Sequence, residues 1–150
     1  MRTPASIGKH PLHPMLVSIP IGLWMFSLAC DLIGARTIHP DLWFVLGLYT
    51  MIAGTLGAVL AAIPGLIDLL SLSVPRHRRI ALLHMALNVA IIAMYLGNVW
   101  MRVMEPTRTG PARALSIAAI LILLVSGWLG GSLVHVHGVS VDVPPLGPRD

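Results

Sequence analysis

Four long apolar stretches dominate the chain, and each is long enough to cross a bilayer. A hydrocarbon core about 30 Å thick takes roughly 20 apolar residues per helical crossing. The stretches cover about residues 15–35, 43–70, 80–101 and 113–134 of 150. In lipid every backbone amide must be satisfied within its own segment, so stretches of this length are helices. Charged residues make up only 11% of the chain, where soluble domains carry about a quarter. The expected fold is all-α: a polytopic membrane protein, an antiparallel four-transmembrane-helix bundle forming one domain over residues 1–150 and surrounded by lipid bilayer. The crossings use up most of the chain and leave no room for a soluble catalytic domain.

The joints are chemically plain. Ala35-Arg36-Thr37-Ile38-His39-Pro40-Asp41, Ser73-Val74-Pro75-Arg76-His77-Arg78-Arg79 and Glu105-Pro106-Thr107-Arg108-Thr109-Gly110-Pro111 each combine charge with proline. Proline lacks the amide hydrogen that a helix interior requires. Joints this short make consecutive helices antiparallel neighbours. Gly54, Gly57, Ala58 and Ala61 permit close approach on the second helix, and Gly127 and Gly131 form a Gly-x-x-x-Gly pair on the fourth. The tail from Val139 to Asp150 is expected to be exposed coil. No tandem repeat is visible.

Four crossings put both termini on one side, together with the second joint. That side carries six Lys and Arg residues (Arg2, Lys9, Arg76, Arg78, Arg79, Arg149) and the other four (Arg36, Arg102, Arg108, Arg113). The positive-inside rule then favours cytoplasmic termini, and it explains the net charge of +4 without a nucleic-acid partner. The single cysteine, Cys30, excludes an intrachain disulfide and a cysteine-based zinc site. Ser27-Leu28-Ala29-Cys30 loosely resembles a lipoprotein cleavage site, but Ser27 stands where an aliphatic residue is needed and three crossings follow. Cys30 is read as a buried membrane thiol.

The histidines are the informative residues. His10 and His13 flank the entry to the first helix, His77 and His84 the entry to the third, and His135 and His137 the exit of the fourth. All six fall on the terminal side, joined by Asp68; only His39 lies opposite. His10-Pro11-Leu12-His13-Pro14 is stiffened by prolines that suit a first helical turn. His84 lies about one turn inside a crossing, where an ionisable group is a functional candidate by default. Helical spacing adds two polar stripes: His84, Asn88, Tyr95, Asn98 and Arg102 share one face, and so do His13, Trp24, Ser27 and Asp31. Such stripes point inward, to glue helices or to line a wet path. Pro64-Gly65 loosens the backbone before Asp68 and could turn that carboxylate toward the histidines.

Haem b between helices needs two axial nitrogens from facing helices, and His13 with His84 could supply them, with His10 and His137 as alternatives and Asn88 and Asp68 in support. A Zn, Cu or Fe ion would instead want three or four ligands from His10, His13, Asp68, His84, His135 and His137. Cys-x-x-Cys-His is absent, so covalent haem is excluded. Gly-x-Ser-x-Gly, His-Glu-x-x-His and phosphate-binding glycine loops are also absent, which argues against an enzyme of those classes.

Lys9-His10-Pro11-Leu12-His13-Pro14-Met15-Leu16-Val17, followed by Pro20-Ile21, resembles the opening of a bacterial membrane family, domain of unknown function 2231 (DUF2231). Pro64-Gly65-Leu66-Ile67-Asp68, His84 with Asn88, and Ser126-Gly127-Trp128-Leu129-Gly130-Gly131 leading to His137-Gly138-Val139 resemble the same family in the same order. The resemblance implies a multi-pass protein of the bacterial inner membrane. Relatives joined to Rieske-type iron–sulfur domains hint at electron transfer with a redox partner protein. Ser132 stands where an acidic residue is expected and His135 where an aromatic is usual, which loosens any ligand assignment at the fourth helix. The expected function is a membrane redox or metal-handling protein with one histidine-lined site. The other readings are a non-catalytic membrane subunit or anchor, and a small proton or solute pathway.

Overall fold

The computed structural model describes residues 4–8, 10–107 and 109–139. A small hairpin, β1 (Ser6–Ile7) and β2 (His10–Pro11), turns through Gly8 at φ +57°. Five helices follow: α1 (Leu12–Leu16), α2 (Ser18–Gly34), α3 (Pro40–Leu70), α4 (Pro75–Met104) and α5 (Thr109–His135). α1 and α2 make one crossing, Leu12–Gly34, so there are four helical spans, all long and apolar enough to cross a membrane. The all-α bundle expected from the four apolar stretches is present.

Helix ends differ from the sequence reading for a reason that lies in proline. Pro40 and Pro75 each take the first position of their helix, where no amide hydrogen is needed and the fixed φ is already helical. Proline therefore starts these helices instead of separating them, and α4 begins five residues before Ile80, taking His77 into its first turn. At the other end, Gly138 adopts φ +60° and the Val139 amide reaches back to Leu133 O at 2.9 Å. This glycine turn folds Val139 under the helix end, where it is buried with Leu69, Leu72, Ala81 and Leu133. Val139 is thus core and not exposed coil; residues 140–150 of the expected tail lie outside the described residues.

Contacts along α3 run in reverse order to those along the first crossing. Gly47 lies against Ser27 and Cys30, Gly54 against Trp24, Gly57 against Pro20, and Gly65 against His13. The two helices are therefore antiparallel. Gly54 is tight: a Cβ there would stand 2.9 Å from Trp24 Cδ1. α4 and α5 are antiparallel by the same logic, with Asn98 bonded to Ala112 O and His84 to Ser126 O. The Gly127 and Gly131 pair does not make the expected close contact, since neither has a neighbour within 4 Å of its Cβ direction. Gly130, on another face, is the glycine that lies against α4. Leu56, Leu124 and Trp128 are among the large apolar side chains facing outward, as a lipid-facing surface requires.

The two polar stripes face each other. Trp24 stacks on Tyr95 at 4.4 Å between centroids, His13 meets His84, and Asp31 pairs with Arg102. Each pair is separated by 71 positions. Within the hairpins, Ser27 Oγ donates to Gly47 O at 2.7 Å, and Asn98 Nδ2 donates to Ala112 O at 2.8 Å. Ser27 and Asn98 are again 71 apart, and Gly47 and Ala112 are 65 apart. The bundle therefore contains an internal repeat: the first crossing with α3, and α4 with α5, are two hairpins built to one plan. The repeat is masked in the sequence because many shared positions differ in residue type, tryptophan standing for tyrosine and serine for asparagine, although His13 matches His84.

Candidate cofactor site

The terminal-side end of the seam between the hairpins is where the histidines meet. α1 begins directly after Pro11, whose extended backbone (φ −72°, ψ 126°) sets the entry angle, and Pro14 lies in its first turn. His13 is thereby turned onto α3, where its Nδ1 is 2.8 Å from Ala61 O. His84, on the third crossing, has Nδ1 2.8 Å from Ser126 O on α5. A carbonyl oxygen only accepts, so each Nδ1 carries the hydrogen and donates it. In the neutral ring the lone pair then sits on Nε2.

The rings are held from behind by glycine. A Cβ on Gly65 would fall 2.8 Å from His13 Nδ1, and one on Gly130 would fall 3.0 Å from His84 Cε1. Both carbonyl and glycine partners are 65 positions apart in the two hairpins. The ring centroids are 6.1 Å apart with planes at 84°. His84 has extra polar company. Asn88 Nδ2 donates to His84 O and to Ser126 Oγ, both at 2.8 Å, and stands 3.2 Å from His84 Nε2. An amide carries two donor hydrogens; the two shorter contacts take them, so the Nε2 contact is the weakest of the three.

The other sequence candidates go elsewhere. His10 lies exposed on β2, and exposed His135 has Nδ1 3.0 Å from Gly131 O in its own helix. His137 pairs with His77, centroids 4.7 Å apart and planes tilted by 37°. Asp68 accepts the amide of Ala5 at 3.2 Å and so ties down the β1–β2 hairpin. Among the described residues no three His, Cys, Asp or Glu side chains group as ligands for one ion. Of the residues singled out from sequence, His13, His84 and Asn88 come together.

The opposite end of the seam holds Asp31 and Arg102, with side chains 8% and 3% exposed. Arg102 donates from Nη1 to Asp31 Oδ1 at 2.7 Å, from Nη2 to Asp31 Oδ2, and from Nε to Asn98 Oδ1 at 2.9 Å. The pair borders a cavity of about 240 Å³ that also touches Cys30, Phe44 and Arg113. Eighteen residues separate His13 from Asp31, about 27 Å along a helix, so the two polar ends lie near opposite membrane faces.

A family model described as a predicted membrane protein, DUF2231, matches residues 9–143. The chain belongs to the DUF2231 family. The match spans both hairpins, from the His10-Pro11-Leu12-His13-Pro14 opening through the turn at Gly138. No curated protein and no solved structure matches. Within this DUF2231 chain, the sequence reading named Gly65, Ser126 and Gly130 but not their place behind the histidine rings, and it missed the partnership of Asp31 with Arg102. One signal could have found the last. The stripes His13, Trp24, Ser27, Asp31 and His84, Tyr95, Asn98, Arg102 share the spacing eleven, three, four, which is what two superposable helices leave in a sequence.

Proposed function

We propose that His13 and His84 together hold a redox-active metal cofactor, haem b or a transition-metal ion, and that the protein transfers electrons at the membrane. The observation that carries this reading is the paired disposition of the imidazoles. Each Nδ1 is committed to a backbone carbonyl of the neighbouring helix, the support that ligating histidines commonly receive. Each Nε2 then keeps a lone pair, that of His84 with the Asn88 amide 3.2 Å away. With metal–nitrogen bonds of about 2 Å and a ring centre about 1 Å beyond each nitrogen, two imidazoles with centroids about 6 Å apart could both reach one metal. The 6.1 Å between these rings matches. When bound, the metal would supply one-electron chemistry, accepting an electron from a reduced carrier protein and passing it to an oxidised one.

Purified in mild detergent, the protein is expected to contain about one haem or metal ion per chain. Its absorption spectrum should change on reduction, and His13→Ala and His84→Ala should each weaken binding and alter that spectrum. Stoichiometric absence of both haem and metal from folded protein defeats the proposal.

We further propose that the termini face the cytoplasm across a bacterial inner membrane, from the six-to-four excess of Lys and Arg on their side. The cofactor would then lie near the cytoplasmic face. Reporter fusions at either terminus should be active in the cytoplasm; periplasmic activity reverses the assignment.

A further inference from the structure

The internal repeat constrains what the two imidazoles can share. The first crossing and α4 run in the same direction, as do α3 and α5, so the axis relating the hairpins lies along the membrane normal, the geometry of parallel repeats. Residues beside such an axis meet their own equivalents. Three pairs do so here, each 71 apart: His13 with His84, Trp24 with Tyr95, and Asp31 with Arg102. The support of each ring repeats as well: Ala61 O and Gly65 for His13, Ser126 O and Gly130 for His84.

We infer that the ligand of this site is an iron tetrapyrrole standing upright on the axis between two copies of one helical hairpin, ligated by perpendicular imidazoles. This rests on the reading of His13 and His84 as metal ligands and narrows it. Two protein donors suffice for a metal that brings four equatorial nitrogens of its own, whereas a bare ion wants three or four. No third His, Cys, Asp or Glu joins the pair among the described residues. Equivalent donors lie on a line perpendicular to the axis, and a tetrapyrrole lies perpendicular to the line joining its axial ligands. Its plane therefore contains the membrane normal. Deeper in the seam the wall is apolar at Ile91, which is fully buried and packs with Trp24 and Tyr95. On the terminal side, exposed Arg76, Arg78 and Arg79 in the first turn of α4 offer cations for two carboxylates. Each ring plane is fixed by its own carbonyl, not by the metal, so the 84° between the planes carries into the complex.

Perpendicular axial planes leave two iron d orbitals nearly degenerate, and parallel planes split them. The two cases give different low-spin ferric electron paramagnetic resonance spectra. The purified full chain, loaded with haemin, should show the highly anisotropic low-spin signal of perpendicular planes. In oriented membrane multilayers the axis normal to the macrocycle should lie in the membrane plane. His13→Gly and His84→Gly should each turn the iron high-spin, and added imidazole should restore the low-spin signal, which shows that the variants remain folded. A rhombic signal of parallel planes, a macrocycle lying flat in the membrane, or a stoichiometric metal without tetrapyrrole overturns this inference and leaves the metal-site reading standing. Neither haem nor metal at stoichiometry overturns both.

Discussion

Replacing Arg102 with leucine is expected to destabilise the protein by about 3–5 kcal/mol, because it strands the Asp31 carboxylate in the bundle interior. The two side chains are 8% and 3% exposed, so the guanidinium is the carboxylate's main source of solvation. Asn98 loses the donor that fills its carbonyl oxygen as well. Asp31→Asn is expected to cost less, since the amide still offers an oxygen to Arg102. The informative control is the double variant Asp31→Leu/Arg102→Leu, which removes both charges and should recover most of the loss, as replacing a whole buried pair often does. Unfolding followed by helical circular dichroism in detergent measures all three. Equal loss in the double and the Arg102 variant would mean that packing, not charge, holds this end together.

The second large effect is expected at two glycines far apart in sequence. Gly65→Ala puts a methyl group 2.8 Å from His13 Nδ1, and Gly130→Ala puts one 3.0 Å from His84 Cε1. At 2.8 Å the His13 ring must shift, and at 3.0 Å the His84 ring must give by a few tenths of an ångström, so each is pushed away from its carbonyl acceptor. Overpacking of this kind costs about 1–3 kcal/mol. The larger consequence is for the site, because a ring that leaves Ala61 O or Ser126 O loses its orientation and its fixed tautomer. Both variants should lose most of any bound cofactor while remaining helical and monodisperse. Gly127→Ala, on the open side of the same turn, has no neighbour within 4 Å of its Cβ direction and should retain full occupancy. If all three variants bind alike, the glycines do not position the imidazoles.

The four crossings were legible in the sequence because hydrophobic length is a one-dimensional quantity that a bilayer reads directly. The two polar stripes were legible for a similar reason, since helical periodicity is local. Which stripe faces which is not local. That Asp31 meets Arg102 depends on the third crossing lying parallel to the first, and this follows only once both hairpins are in place. The histidines divide in the same way. Six gather at one end by topology alone, and the sequence shows that. That His13 and His84 are paired while His10 and His135 point elsewhere depends on the carbonyls of Ala61 and Ser126 and on bare glycine surfaces behind the rings. Backbone oxygens carry no signature in a sequence.

The Asp31–Arg102 pair also sets a problem of timing during synthesis. Asp31 belongs to the first crossing, and its partner is made 71 residues later, roughly 4–14 s at ordinary ribosomal speeds. Through that interval the leading hairpin carries an unneutralised carboxylate. A lone charge is poorly tolerated in hydrocarbon, so until α4 emerges this carboxylate has to keep to the headgroup water at its end of the crossing. Closure of this end of the bundle is then a joint event for both halves, with the ion pair as its latch.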